Sequence, residues 1–117
     1  MLARLARLFR AAAAAPIWVE AAELRRWLAG EGAPVVVDVR GPDEFEGPLG
    51  HIDGARNIPL AELSTHTKEL AAEGRPLVMV CLTDKRSAQA AAELLGAGVR
   101  NVAVLRGGMK GWRATIE

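Results

Sequence analysis

Residues 77–87 read LVMVCLTDKRS, an apolar run that ends at Cys81 and continues into a polar loop. The alanine-rich segment AQAAAELL follows at 88–95, so this order predicts a buried strand, a short loop and a helix. In an open α/β sheet, the loops that follow the strands form the crevice in which ligands bind. We therefore expect Cys81 to lie at such a crevice.

Cys81 is a candidate nucleophile because of the charges that surround it in the sequence. Unpaired N–H groups at the start of the following helix carry partial positive charge, and Lys85 and Arg86 add full charges that favour a thiolate. The alternative is that Cys81 is a small buried hydrophobic residue, with Thr83 or Asp84 serving only to cap the helix.

Length and composition fit one compact domain. The chain has 117 residues, half of them hydrophobic, and divides into a basic extension over residues 1–15 and a domain over residues 16–117. Its 15 basic and 14 acidic residues give no sign of nucleic-acid binding. A single cysteine excludes an internal disulfide, and the two histidines offer no metal-ligand spacing, so we expect a reducing compartment, the cytoplasm.

The first ten residues form an amphipathic basic segment. On a helix, arginines would occupy one side and apolar residues the other; these apolar residues are Leu2, Leu5, Leu8 and Phe9. The segment is too short and too charged to span a bilayer. It resembles a transit peptide or a membrane-surface helix, but we favour a helical extension that frays or docks on its own domain, because so short a helix binds membranes only marginally.

Strands and helices alternate from Ile17 onward. The continuous apolar run at 35–39 is typical of a central parallel strand, and its carboxyl end carries Asp38 and Arg40. The crevice rule brings these two charges near the Cys81 loop, where Asp38 would reach Arg86 or Arg40 would reach Asp84. The alternative is an ordinary turn at a strand end.

Other segments complete the alternation. A helix is predicted over 61–72, and a last strand within 99–105 precedes a short terminal helix. Trp18 and Trp27 are expected in the core. His51 lies among turn residues, and we expect its ring to bond local backbone.

A set of short motifs follows one order along the chain: Asp38-Val39-Arg40, Glu44-Phe45, Gly50-His51-Ile52, Cys81 through Ser87, and Gly107-Gly108 with Trp112. In this order the motifs resemble the single-domain rhodaneses, a family of sulfurtransferases. The resemblance implies an α/β fold with a five-stranded, mainly parallel sheet and helices on both faces. It also implies chemistry that needs no cofactor and no metal.

The same resemblance assigns roles to residues. The catalytic cysteine would open a six-residue loop made of Cys81, Leu82, Thr83, Asp84, Lys85 and Arg86. Its thiolate would take sulfur from a donor such as thiosulfate, or from a sulfur-donating protein, and the Cys81 persulfide would pass it to cyanide or a thiol. Loop amides would stabilise the anionic persulfide, with Asp38 and Arg40 in support.

Loop length and composition refine this hypothesis. Related phosphatases and arsenate reductases have one more residue between cysteine and arginine than the four found here, which favours sulfur transfer. Rhodaneses active on thiosulfate often carry a basic residue and a glycine where this chain has Leu82 and Asp84. A persulfide carrier or protein-interaction module with little thiosulfate activity is therefore the second interpretation. We expect Asp84 to turn outward to Arg40 or to cap the helix.

Overall fold

The fold is built on one five-stranded sheet, as a computed structural model of residues 15–115 shows. All strand pairs are parallel, and the spatial order is β1-β5-β4-β2-β3. The strands are β1 (Ile17–Val19), β2 (Val35–Asp38), β3 (Arg56–Asn57), β4 (Leu77–Val80) and β5 (Val102–Leu105). Every residue of β2, β4 and β5 is buried, which explains their continuous apolar sequences.

Helices cover both faces of the sheet, so the predicted α/β class is confirmed. They are α1 (Ala21–Ala29), α2 (Pro42–Phe45), a 3-10 helix (Leu60–His66), α3 (Thr67–Ala71), α4 (Lys85–Gly96) and α5 (Gly108–Ala114). Alternate residues of each strand point to opposite faces. Met79 therefore packs in one core cluster with Leu94 of α4, whereas Val78 packs in a second cluster with Leu24 of α1 and Met109 of α5.

Two local expectations were wrong in detail. The helix predicted over 61–72 divides into a 3-10 helix and α3, and the Thr65 hydroxyl donates to the Glu62 carbonyl at 2.8 Å in the tighter part. Trp18 is 38% exposed rather than in the core, because β1 is an edge strand. Trp27 is half-buried against the second cluster.

The register of the sheet brings the candidate site residues to one edge. Asp38 at the end of β2 lies opposite Val80 at the end of β4, and the Val39 N–H donates to the Val80 carbonyl at 2.8 Å. Cys81 and the segment after Asp38 therefore leave the sheet side by side. Such an edge is where ligands bind in open α/β sheets.

The amphipathic segment proposed for the first ten residues lies outside the described residues, which begin at Ala15. Within residues 15–115, no helix has the length and apolar character needed to cross a membrane.

Candidate active site

Cys81 lies at the junction of β4 and the loop that leads into α4. Its side chain is buried, and its Sγ atom lies 3.3 Å from Ser87 Oγ. The Ser87 amide N–H, in the first turn of α4, donates to Sγ at 3.3 Å. An amide at a helix N-terminus favours negative charge, and a serine hydroxyl can donate to an ionised sulfur, so Ser87 offers two donors to Sγ at this position.

The start of α5 holds the backbone of the Cys81 loop. The Met109 N–H donates to the Cys81 carbonyl at 2.9 Å, and the Lys110 N–H donates to the Leu82 carbonyl at 3.0 Å. These amides belong to the first turn of a helix, where they have no partner within the helix. Their bonds fix the first peptide planes of the loop.

Gly108 permits this close approach of α5 to the loop. Its φ is +54°, and a Cβ atom at this position would overlap the carbonyl oxygens of Cys81, Leu82 and Thr83. A side chain here would meet both backbone strain and backbone atoms that have little room to move. The glycine pair quoted from the sequence therefore has a packing role at the site.

Arg86 pairs with Glu44. Its Nη1 and Nη2 atoms lie 2.7 Å and 2.9 Å from the two carboxylate oxygens of Glu44, a bidentate geometry. The expected Asp38–Arg86 contact was wrong, because the carboxylate of Asp38 already binds Arg40. The loop is thus tied to α2 rather than to the end of β2.

Asp38 and Arg40 form a buried ion pair at the carboxyl end of β2. Arg40 Nη2 lies 2.8 Å from Asp38 Oδ2, and each side chain is 1% exposed. Arg40 also donates to the carbonyls of Glu44 at 3.1 Å and Gly50 at 2.7 Å. A buried charge needs such complete pairing, and here the pair holds the segments that follow β2.

Glu44 connects this buried pair to the Cys81 loop. Its carbonyl accepts from Arg40, while its carboxylate accepts from Arg86 and from the Gly41 N–H at 3.2 Å. The hydrogen bond from Arg86 is the main cause that lowers the pKa of Glu44 to about 2, so the carboxylate stays ionised at neutral pH. The pKa of Arg86 is raised, mainly by Glu44, with smaller contributions from the charges of Cys81 and Asp38.

The remaining loop residues differ in exposure. Leu82 is half-buried, whereas Thr83 and Lys85 are exposed. Asp84 Oδ2 accepts from the Gly107 N–H at 3.4 Å, and the Asp84 side chain makes no capping hydrogen bond to α4. The expectation that Asp84 binds Arg40 or caps the helix was therefore wrong, because the start of α5 supplies the nearer donor.

His51 bonds local backbone, as expected. Its Nδ1 atom lies 2.9 Å from the Phe45 carbonyl, and its ring stacks on the Phe45 ring with centroids 3.6 Å apart. The residues that sequence reasoning missed are Glu44 and Ser87. Both occur in the quoted motifs, and the charge of Glu44 was the one signal for an arginine partner.

Comparison with known proteins agrees with this geometry. The family model described as Rhodanese-like domain matches residues 20–115. The chain belongs to this family. It is 42% identical over 85 residues to the thiosulfate sulfurtransferase GlpE of Ectopseudomonas mendocina, an alignment that covers 70% of this chain and 72% of that protein. It is 40% identical over 89 residues to the uncharacterized protein YqhL of Bacillus subtilis, covering 76% and 68% of the two chains.

A solved structure also superimposes on this rhodanese-like domain. The rhodanese-related protein from Thermoplasma volcanium matches with a TM-score of 0.71 and 30% identity, over 85% of this chain and 92% of that one. The predicted five-stranded parallel sheet and the resemblance to rhodaneses are thereby confirmed, and the family relationship supports a sulfurtransferase.

Proposed function

We propose that this rhodanese-like domain transfers sulfane sulfur through a persulfide on Cys81. The observation that carries the proposal is the position of Cys81 Sγ at the start of α4, with the Ser87 N–H and Oγ each 3.3 Å away. In the first step the thiolate attacks the outer sulfur of a donor and a new S–S bond forms. The bond between that sulfur and the rest of the donor breaks, and the remainder leaves with the electron pair, as sulfite when the donor is thiosulfate. An acceptor such as a thiol or cyanide then removes that sulfur.

The backbone around Cys81 supports this role. Because α5 binds the carbonyls of Cys81 and Leu82, the peptide planes of the loop are ordered before the reaction. We propose that the loop amides from Leu82 to Arg86 stabilise the anionic persulfide, as preorganised donors stabilise developing charge elsewhere. Arg86, the last residue of this loop, adds a cation directly before Ser87. Asp38 and Arg40 support the site indirectly, through the backbone of Glu44.

The test uses the single cysteine of the chain. The protein is incubated with thiosulfate or with a small alkyl persulfide, and mass spectrometry measures the addition of one sulfur atom. We expect the adduct on wild type and none on Cys81→Ser. The rate of sulfur transfer should fall in this variant by a factor on the order of 10³ or more. Ser64→Ala, a change on the exposed 3-10 helix, is the control and should keep full activity.

Two results would contradict the proposal. One is sulfur transfer by Cys81→Ser at a rate close to that of wild type. The other is a folded wild-type protein that neither donor loads with sulfur. Circular dichroism on both proteins distinguishes loss of chemistry from loss of the fold.

A second candidate function, a persulfide carrier with little thiosulfate activity, is favoured by the two carboxylates at the loop. Glu44 binds Arg86, and Asp84 binds the Gly107 N–H. Loading by a protein that bears a persulfide, measured beside thiosulfate turnover, separates the two candidates. Efficient loading without thiosulfate turnover identifies the carrier.

A further inference from the structure

We infer that Glu44 makes the Cys81 site discriminate against doubly charged sulfur donors, so that its substrate is a sulfane sulfur carried on a thiol, an alkyl persulfide. This inference rests on the proposed function, because it concerns the donor of the same reaction. Glu44 is a specificity-determining residue in this scheme, and it acts through Arg86.

The fixed charges at the loop carry the inference. Arg86 ends the six-residue loop that begins at Cys81 and directly precedes Ser87, whose N–H donates to Sγ, and a carboxylate oxygen of Glu44 lies 2.7 Å from the Arg86 Nη1 atom. Asp84 adds a second carboxylate, held by the Gly107 N–H. The cations Lys85 and Lys110 are exposed, so solvent and salt screen them. The ordered side chains of the loop therefore add no net positive charge to the loop amides that would hold an anion.

The buried pair does not change this balance. Asp38 and Arg40 lie 2.8 Å apart, and their charges cancel at a distance. Arg106, which follows β5 at the same sheet edge, is bound by Glu20 at 2.8 Å. Three arginines at this edge, Arg40, Arg86 and Arg106, are thus each bound to a carboxylate.

Thiosulfate needs more compensating positive charge than such a site provides. The Cys81 thiolate and the thiosulfate dianion bring three negative charges together; the donor S–S bond breaks, sulfite leaves with two charges, and Cys81 keeps one as the persulfide. Like charges in one site disfavour ionised forms unless cations compensate them. Because Glu44 neutralises Arg86, this compensation is weak.

A protonated alkyl persulfide, R–S–SH, needs less compensating positive charge in the site. The thiolate attacks the outer sulfur, the donor S–S bond breaks, and R–S⁻ leaves with the electron pair and takes up the proton of the transferred sulfur, which remains on Cys81 as the anionic persulfide. The total charge is then a single negative one throughout. A half-buried Leu82 beside Cys81 suits an alkyl group better than an oxyanion.

The experiment compares kcat/KM for thiosulfate with kcat/KM for 2-hydroxyethyl persulfide. We expect wild type to prefer the persulfide. Glu44→Gln should raise the thiosulfate-to-persulfide ratio by about tenfold, the change that 1.4 kcal/mol produces. The ratio cancels any general loss of loop order, because such a loss slows both donors. Glu31→Gln is the matched control: it removes the same charge from an exposed position near the amino ends of the strands.

Salt supplies a readout that a purely structural role of Glu44 would not change. In Glu44→Gln, kcat/KM for thiosulfate should fall more steeply with ionic strength than in wild type, because an unmasked Arg86 attracts the dianion. The persulfide reaction should show little change. If Glu44→Gln does not fold, Asp84→Asn tests the same idea and should shift the ratio in the same direction.

An unchanged ratio in folded Glu44→Gln, or an equal rise in Glu31→Gln, overturns the inference. A wild type that prefers thiosulfate also overturns it. Failure of the proposed function has a different signature, since neither donor would then load Cys81 in wild type.

Discussion

Two ion pairs lie at the sheet edge where β2 and β4 end, and they differ in burial. In the Asp38–Arg40 pair each side chain is 1% exposed, whereas Arg86 and Glu44 are 37% and 38% exposed. The buried pair also binds the carbonyls of Glu44 and Gly50, and so fixes two backbone segments. The exposed pair binds the loop that carries Cys81. Two pairs of a carboxylate with an arginine therefore serve the fold in one case and the Cys81 loop in the other.

Because they differ in burial, the two pairs also contribute differently to the free energy of unfolding. Removing one partner of a buried pair leaves a charge that water cannot reach, which costs much more than the pair contributes as a whole. An exposed pair contributes little to stability, because solvent screens it and its long side chains lose freedom on pairing. We therefore expect the first pair to govern stability and the second to govern activity.

The largest expected effect is on stability, from Asp38→Ala. This change leaves the buried Arg40 guanidinium without its carboxylate, and the free energy of unfolding should fall by about 3–5 kcal/mol. Urea denaturation measures the loss. Glu73→Ala, which removes a carboxylate from the salt bridges to Arg56 and Arg75, is the control and should lower the free energy of unfolding much less. Equal losses in the two variants would show that burial does not distinguish these ion pairs.

The next effect is on activity, from Arg86→Ala. We expect transition-state stabilisation to fall by about 2–4 kcal/mol, the scale of losing one preorganised group, because the loop loses its bidentate tie to Glu44, with unfolding free energy changed by about 1 kcal/mol or less. Arg86→Lys should lose nearly as much activity, because an ammonium cannot bind both carboxylate oxygens of Glu44 in a fork.

Rates of sulfur transfer measured with the better donor test this prediction. If Arg86→Lys keeps the wild-type rate, charge alone is what the loop needs from this residue. If Arg86→Ala loses as much stability as Asp38→Ala, the proposed division between the two pairs is wrong.

The smallest effect is the response of stability to acid. The pKa of Glu44 is lowered from 4.5 to about 2, so its contribution is fully present above 4.5 and is lost as the pH falls through about 2. Because the side chain is 38% exposed, we expect this contribution to be about 1 kcal/mol or less. Unfolding free energies of wild type and Glu44→Gln should therefore converge as the pH falls. A gap that stays constant with pH would mean that the carboxylate charge is not its source.

The sequence alone predicted the elements and the edge at which the site lies. An apolar run, a polar loop and an alanine-rich segment placed Cys81 between a strand and a helix, because the period of each segment depends on local backbone geometry. The position of Asp38 and Arg40 at a strand end followed from the same pattern. Their pairing with each other was not predicted, although it is local: residues two apart in an extended chain lie on the same side.

Only the tertiary structure decided which charges meet across elements. Arg86 binds Glu44, 42 residues earlier in the chain, and Asp84 binds the Gly107 N–H, 23 residues later. These contacts depend on the strand order β1-β5-β4-β2-β3, which places the segments after β2, β4 and β5 beside one another. Periodicity carries no information about strand order, so the sequence predicted a charged loop at Cys81 but not the partners that balance its charges.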